Sequence, residues 1–572
     1  MILRTSSNKI LNPSFNLFKY TVKRNIGVLL LIVACALLIS PGYSLIKIRE
    51  TVENLGYSSY DTRYFVKLMF YCGTFAGCAI SIIFNIINFS FLYQKRSVDV
   101  FLSFPLTRFE MISSRFFAGV ILSIIPVTVG YLGLLGILLF YPPAVGSIGT
   151  LSVYLLYSLF SILICSAFSL IFLVCAGNVF DFILSFFGIN IGIIGISLMV
   201  SYTLQQTVYG YDESGSENFI LKYGSPFSFI IRSIEKYNEN PSGKTVVLFV
   251  IKAIILSVIF YVIACILFYR RKSEKSGESY AFRFIYYASS IVYGICGAFI
   301  IGVLFESNVV SLKFIITAVI GALIFCIAYG AISNRGFKTF KKSVLLGIVS
   351  SLMIISVIFG GYFDIFGVVK RVPAKEDIQS ASINFSGLNI EVKNFNAVTD
   401  LHKEIILDKN IKRLAQHNEG DIRDTIDINY VLKSGNKIVR SYNIVKNAME
   451  DKLLSFYRSS DFKNAVEETA LRNSSIGAVI DINGDNLIIK TEDYKAFIKA
   501  YFSDIKSAGK SLVSSDELFI TVQENSDNRD YSKNYYFSLP VSEEFKQTEN
   551  LLNEFVLKYG FNNNDDSVVS GS

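Results

Sequence analysis

Tryptophan is absent from this 572-residue chain, histidine occurs twice, and only 17% of the residues are charged. Each shortage removes a class of explanation. Two histidines, His402 and His417, do not make the repeated imidazole ligand sets of zinc centres. Their acidic neighbours Asp400, Glu404 and Glu419 repeat no ligand spacing, so the pair is expected to be exposed on the surface. A charged fraction well below the ~25% of soluble domains puts the chain outside that class. Without Trp, any belt at a membrane interface must come from the 33 Tyr and 49 Phe. The eight cysteines (Cys35, Cys72, Cys78, Cys165, Cys175, Cys265, Cys296, Cys326) all lie in apolar runs, with no CxxC pair. They read as small packing residues, and the polar C-terminal part has no disulfide frame.

What is present is apolar length. Hydrophobic residues make up 52% of the chain and the mean hydropathy is +0.46. A helix needs ~20 apolar residues to cross a bilayer. Runs of that kind fall at 26–46, 66–91, 116–141, 149–175, 180–204, 247–269, 285–305, 312–332 and 343–366. The expected fold is therefore a polytopic α-helical membrane protein of about nine transmembrane helices, followed by a C-terminal α+β extracellular domain. The first run continues to full spanning length, so no cleavable leader is expected. The net charge of +8 is unevenly spread: from Gly367 onward there are 26 basic and 31 acidic residues. The basic excess thus belongs to the membrane part, where it fits topology and anionic headgroups; nucleic acid is not an expected partner.

Lys and Arg collect in the N-terminus, in 94–115, in 270–283 and in 333–342, whereas 142–148 has no charge and 306–311 only Glu306. The positive-inside rule then places the N-terminus in the cytosol and, after nine crossings, the C-terminal domain outside the cell. Phe15–Asn25 reads as an amphipathic helix lying along the bilayer. Lys67 and Lys252 are expected to snorkel at helix ends, and Asp181 to reach a partner through a short intracellular turn. Pro126, Gly130, Gly133 and Gly136 suggest close helix packing or a bend in the third run.

The segment 94–115, QKRSVDVFLSFPLTRFEMISSR, carries the most information. Val98, Phe101, Leu102 and Phe104 form an apolar stripe on a short helix, which Pro105 stops. Held between two membrane helices, such a helix can pass a push from a partner into the bilayer. Its wording resembles the loop between the second and third spans of ABC-2-type transporter permeases of Gram-positive bacteria. Tyr269–Phe284, YRRKSEKSGESYAFRF, is similar to the segment after the sixth span in permeases of the bacitracin-resistance and acetoin-operon types. That resemblance implies an elbow helix in 1–25, a six-span core in 26–284, and a coupling helix in 94–115 docking on a separate ATPase. It implies that Arg96, Asp99, Phe101, Leu102, Pro105, Leu106, Arg108 and Glu110 form the ATPase-coupling surface. It also implies helices in the 206–246 loop, where Tyr223–Ile231 (YGSPFSFII) reads as re-entrant or surface-lying. Residues 285–366 add three spans.

Ser242–Thr245, SGKT, imitates the end of a nucleotide-binding loop, but Asn238 stands where its first glycine belongs. Nucleotide binding there is rejected. From about Val368 the texture becomes mixed and β-branched. Strands are expected in 380–392, hairpins in 425–445 and 479–490 around Ser434–Gly435–Asn436 and Asn483–Gly484, and helices in 398–416, 446–472 and 491–507. Strands at 518–523 and 532–539 and a helix at 542–559 close the domain, 367–560, as one fold or two similar ones. Residues 561–572 are expected to be disordered.

No catalytic set and no cofactor motif emerges, so the expected molecule is a non-catalytic permease. Its expected partners are a cytosolic ABC ATPase subunit, a second permease (a homodimer partner or a paralogue) and the lipid bilayer. Export of an amphiphile such as a peptide antibiotic or lipid-linked molecule is the function this implies. The alternative is a membrane-anchored receptor or envelope protein whose spans only hold a ligand-binding ectodomain.

Overall fold

The structure is a computed structural model. It describes residues 13–55, 62–140, 145–212, 224–239, 241–365, 367–369, 371–385, 387–392, 395–407, 423–434, 437–445, 450–471, 478–482, 485–507, 516–524, 533–541 and 544–560. His417, most of the 206–223 stretch, Gly435–Asn436, Asn483–Gly484 and the 561–572 tail lie outside the described residues. Two compact units are present, one of Met1–Val200 and Asn218–Ser356, the other of Ser201–Glu217 and Val357–Ser572.

Among the described residues, nine helices are long and apolar enough to cross a membrane, which makes this a multi-pass membrane protein. They run Ile26–Glu50, Val66–Tyr93, Arg108–Leu139, Gly149–Cys175, Val179–Thr207, Gly243–Arg270, Arg283–Phe305, Leu312–Ser333 and Phe337–Tyr362, and are called spans one to nine below. Span nine, expected at 343–366, runs earlier, and two other spans differ from the hydropathy reading for physical reasons. Span three starts at Arg108, eight residues before its apolar run, because Thr107 and Glu110 form a reciprocal capping box. Span one is interrupted by a π-turn at Leu38–Gly42 around Pro41, whose missing N–H breaks the helical ladder.

A short amphipathic helix, α1 (Pro13–Arg24), precedes span one and buries Leu17 against the base of span three, where Ser114 Oγ donates to Ser14 O at 2.9 Å. Spans two, three, four and six pack on one another. Their aromatic core includes Phe70 stacked on Tyr154 at 3.9 Å and Tyr157 stacked on Phe249 at 4.1 Å. Against it lies α2 (Pro226–Glu239), which buries Ile230, Ile234 and Tyr237 in the same cluster, as the YGSPFSFII pattern suggests. Ser242 accepts from Thr245 N and caps span six, which is the role of the SGKT stretch. Spans seven and eight approach closely: a Cβ on Gly321 would meet Gly297 O at 2.6 Å. Tyr293 donates to Leu184 O at 3.0 Å and ties span seven to span five.

The second unit holds two four-stranded antiparallel sheets. The first contains β1 (Ile378–Phe385), β2 (Leu388–Val392), β3 (Arg423–Leu432) and β4 (Lys437–Val445), in the order β2-β1-β3-β4. The second contains β5 (Ala478–Ile482), β6 (Asp485–Ile489), β7 (Asp516–Glu524) and β8 (Lys533–Val541), in the order β6-β5-β7-β8. Each has a hairpin, a helix, a hairpin and further helix, so the unit is a tandem repeat of one topology. The intervening helices are α3 (Phe395–Leu407) and α6 (Thr491–Ser507); after the second hairpins come α4 (Glu450–Tyr457), α5 (Ser460–Leu471) and, at the end, α7 (Lys546–Tyr559). Strand alternation carries the core: β1 shows Ala381, Ile383 and Phe385 inward, with Ser380 and Asn384 outward. Both repeats contribute to one continuous apolar cluster.

Candidate functional site

The segments 90–115 and 269–282, which carry the two sequence signatures, meet at one end of the helical unit. After a 3-10 turn at Ser90–Tyr93, residues Lys95–Leu102 form a short helix, which buries Val98. Phe101 is half-buried, and its ring lies 4.3 Å from the Arg115 guanidinium; Phe91 covers that guanidinium at 4.1 Å. A desolvated cation–π contact of this kind is worth ~2 kcal/mol. Arg115 is 1% exposed and donates to Asn88 O, while Asn88 Oδ1 accepts from Asn25 Nδ2 at 2.7 Å. One polar chain therefore joins the start of span one, the end of span two and the start of span three.

Two further arginines hold helix ends. Arg108 donates to Tyr269 O at 2.6 Å and Arg271 O at 3.0 Å, at the C-terminus of span six. Arg271, itself buried, donates to Val174 O at 2.5 Å, Ala176 O at 2.8 Å and Leu173 O at 3.3 Å at the end of span four, and to Leu92 O at 2.9 Å beside the Lys95–Leu102 helix. Burial presses its guanidinium pKa below the ordinary range, with Tyr93 and Cys175 opposing. These carbonyls have no intrahelical partner, and a cation at a helix C-terminus also meets the negative end of its dipole. Ser276 Oγ donates to the same Leu92 O at 2.9 Å.

The 275–282 loop then follows the turn between spans four and five. Gly177 N donates to Ser279 O, Gly277 N to Gly177 O, and Ala281 N to Cys175 O, at 3.1, 3.0 and 2.8 Å. Glycine is required at 177, since a Cβ there would lie 1.9 Å from Glu278 O. Asn178 caps span five, accepting from Asp181 N at 2.8 Å. Asp181 does not reach a partner surface as its sequence position suggests. It is buried at 1% exposure, with its carboxylate on the Asn178 amide and Tyr280 OH on its main-chain oxygen. The capping geometry turns it inward.

The eight coupling candidates thus fall into three groups. Arg96, Asp99 and Pro105 are exposed. Phe101, Leu102 and Leu106 are half-buried against the apolar cluster at this end of the unit. Arg108 and Glu110 are engaged, one on the span-six carbonyls and the other in the capping box. Sequence reasoning missed Arg115 and Arg271 as structural keystones. The available signal was an arginine at the boundary of an apolar run, which reads equally well as an anchor to headgroups.

The second unit has its own polar centre. His402 was expected at the surface; it is completely buried, because it shares the inward face of α3 with Val398 and Ile405. Its Nδ1 lies 3.1 Å from Tyr430 OH and its Nε2 2.7 Å from Tyr442 OH. A neutral imidazole has one donor and one acceptor, so one tyrosine donates and the other accepts. Burial, followed by the nearby Arg440 charge, lowers the His402 pKa to about 4. Tyr442 packs on Tyr209, and Tyr211 bridges Arg440 in antiparallel fashion, with Ser441 N donating to Gly210 O at 3.2 Å. The segment after span five thereby adds to edge strand β4. Gly210 has φ +75°, and a Cβ there would lie 2.0 Å from the Tyr442 ring. Arg440 Nη2 also donates to Val368 O at 3.0 Å, and the chain turns there because Asp364 Oδ1 accepts from Val368 N at 2.6 Å.

Among the described residues no group of three or more His, Cys, Asp and Glu side chains is placed to hold a metal ion. No protein-family model, characterised protein or solved structure matches the chain.

Proposed function

We propose that this chain is the membrane permease subunit of an ABC transporter of the ABC-2 type, exporting an amphiphile with energy from a separate ATPase. The observation that supports this reading most is the coupling-segment helix. The Lys95–Leu102 helix and the turn after it present Arg96, Asp99 and Pro105 outward, while Phe101, Arg115, Arg108 and Arg271 connect their neighbourhood to the ends of spans one, two, three, four and six. A force applied at Asp99 is therefore delivered to five membrane helices together. In this reading the 94–115 segment faces the cytosol, the C-terminal repeats lie outside, and a second permease completes the pathway.

The test is co-purification of the native complex. An ATP-hydrolysing chain should accompany the protein and be lost on Arg96→Glu with Asp99→Lys, two exposed positions whose exchange leaves the fold intact. A protein that purifies without any ATP-hydrolysing chain, or that retains one after this charge reversal, would defeat the proposal; the former result would favour the receptor alternative.

A further inference from the structure

Spans one, two and three enclose a groove of about 240 Å³ lined by Cys35, Ala36, Cys72, Ala76, Gly130 and Tyr131, among others. It sits at the π-turn of span one, where Ser40 Oγ donates to Gly130 O at 3.2 Å and Pro41 packs against Gly133. We propose that this groove is a binding site for one hydrocarbon chain of a bilayer phospholipid. Three observations support that occupant.

First, the lining offers no polar anchor. The Ser40 hydroxyl is used on Gly130 O, and the Tyr131 hydroxyl pairs with Ser158 Oγ at 3.0 Å on the inner side. A trapped water needs two to four polar partners, and both of these hydroxyls are already paired. Second, the volume is large for a void. Apolar cavities of ~150 Å³ stay dry and take up benzene-sized hydrocarbons, and an empty space above that size forfeits dispersion contacts along its whole wall. Third, the groove lies within three apolar spans, and no residue in the apolar window of span one is fully buried by the rest of the chain. At that depth the bilayer supplies hydrocarbon at high concentration. A flexible chain conforms to a wall bent by a π-turn, whereas a second copy would have to present a matching ridge.

The experiment uses the full-length protein in nanodiscs of phosphatidylglycerol, doped with the same lipid carrying a mid-chain diazirine. After illumination, labelled peptides should concentrate on 32–40, 72–80 and 126–131, several-fold above the exposed face of 248–262 in span six. Ala76→Phe with Cys72→Phe fills the groove from positions open to the lipid side, and should cut groove labelling several-fold while leaving 248–262 unchanged. Equal labelling of the two regions, or groove labelling unmoved by filling, means boundary lipid only and overturns the proposal. So does an unlabelled groove whose Cys35 side chains cross-link between two copies. If the double variant does not fold, Ala76→Leu alone replaces it: groove labelling relative to 248–262 should fall, and an unchanged ratio overturns the proposal.

Discussion

The molecule has two arginine-centred joints, and they are built on different chemistry. At the joint formed by 90–115 and 269–282, Arg108, Arg115 and Arg271 donate to main-chain carbonyls, and no histidine takes part. At the joint between 208–212 and β4, Arg440 is accompanied by a buried imidazole held between two tyrosines. The first joint rests on guanidinium groups, which stay charged at neutral pH. The second depends on a neutral histidine. It is also confined to one of two repeats of like topology. The buried residues of the second repeat include Ile480, Phe497, Ile498 and Ile520, with Tyr501 OH donating to Pro540 O. The repeat that receives the chain from span five holds the imidazole–tyrosine centre, whereas in the other the buried Asp504 accepts from Thr548 N and Oγ1 at 2.7 and 2.9 Å.

The strongest way to break the first joint is Arg271→Ala. It leaves three helix-end carbonyls and Leu92 O without their shared donor. Hydrogen bonds to charged groups contribute ~1.5–3 kcal/mol each and do not add fully, so a loss of ~4 kcal/mol is expected. Thermal unfolding of the purified protein should show it, with Arg271→Lys recovering only part.

At the second joint, Gly210→Ala should cost ~3 kcal/mol, combining left-handed backbone strain with overlap on the Tyr442 ring. Hydrogen exchange should show the Ser441 amide losing protection while Ile480 and Ile520 keep theirs. That selectivity separates the two repeats directly.

Acid sharpens the contrast between the joints. The His402 pKa falls from 6.5 unfolded to about 4 folded, so its neutral form favours folding. This contribution is fully present above pH 6.5, declines as pH falls from 6.5 towards 4, and is then gone. At ~1.4 kcal/mol per pH unit it amounts to ~3 kcal/mol. Protection of β3–β4 amides should drop across that window in the wild type and stay nearly level in His402→Gln. Equal acid sensitivity in the two proteins would remove His402 as the cause.

The smallest stability effect belongs to the exposed face of the Lys95–Leu102 helix. Arg96→Glu with Asp99→Lys should move the melting temperature by no more than ~0.5 kcal/mol allows, since both residues are exposed and away from the joints. A large loss there would mean that these side chains serve the fold.

All nine spans were legible because continuous apolar length is a signal that needs no tertiary information. The helix at 491–507 and the hairpin at 425–445 were legible for a related reason, since 3.6- and 2-residue periods persist over their whole length. The duplicated topology was only half visible, because order β2-β1-β3-β4 arises from long-range pairing that local period does not encode. At the candidate site, the exposure of Arg96 and Asp99 follows from their place opposite Val98 on a short helix. The inward turn of Asp181 and the burial of His402 do not follow from sequence spacing. Both depend on distant partners, Tyr280 for the one and Tyr430 with Tyr442 for the other. Arg271 was misjudged for the same reason: its acceptors lie nearly a hundred residues away or more.

The π-turn at Leu38–Gly42 has a consequence for register. It accommodates one residue more than a regular helix would, and each residue turns a helix by about 100°. Deleting a single residue there would swing Cys35 and Ala36 a quarter-turn or more around the axis, while Tyr43 onward stayed in place. The wall they provide beside Cys72 would then be replaced by a different stripe of the same helix, although the hydropathy of the segment would scarcely change.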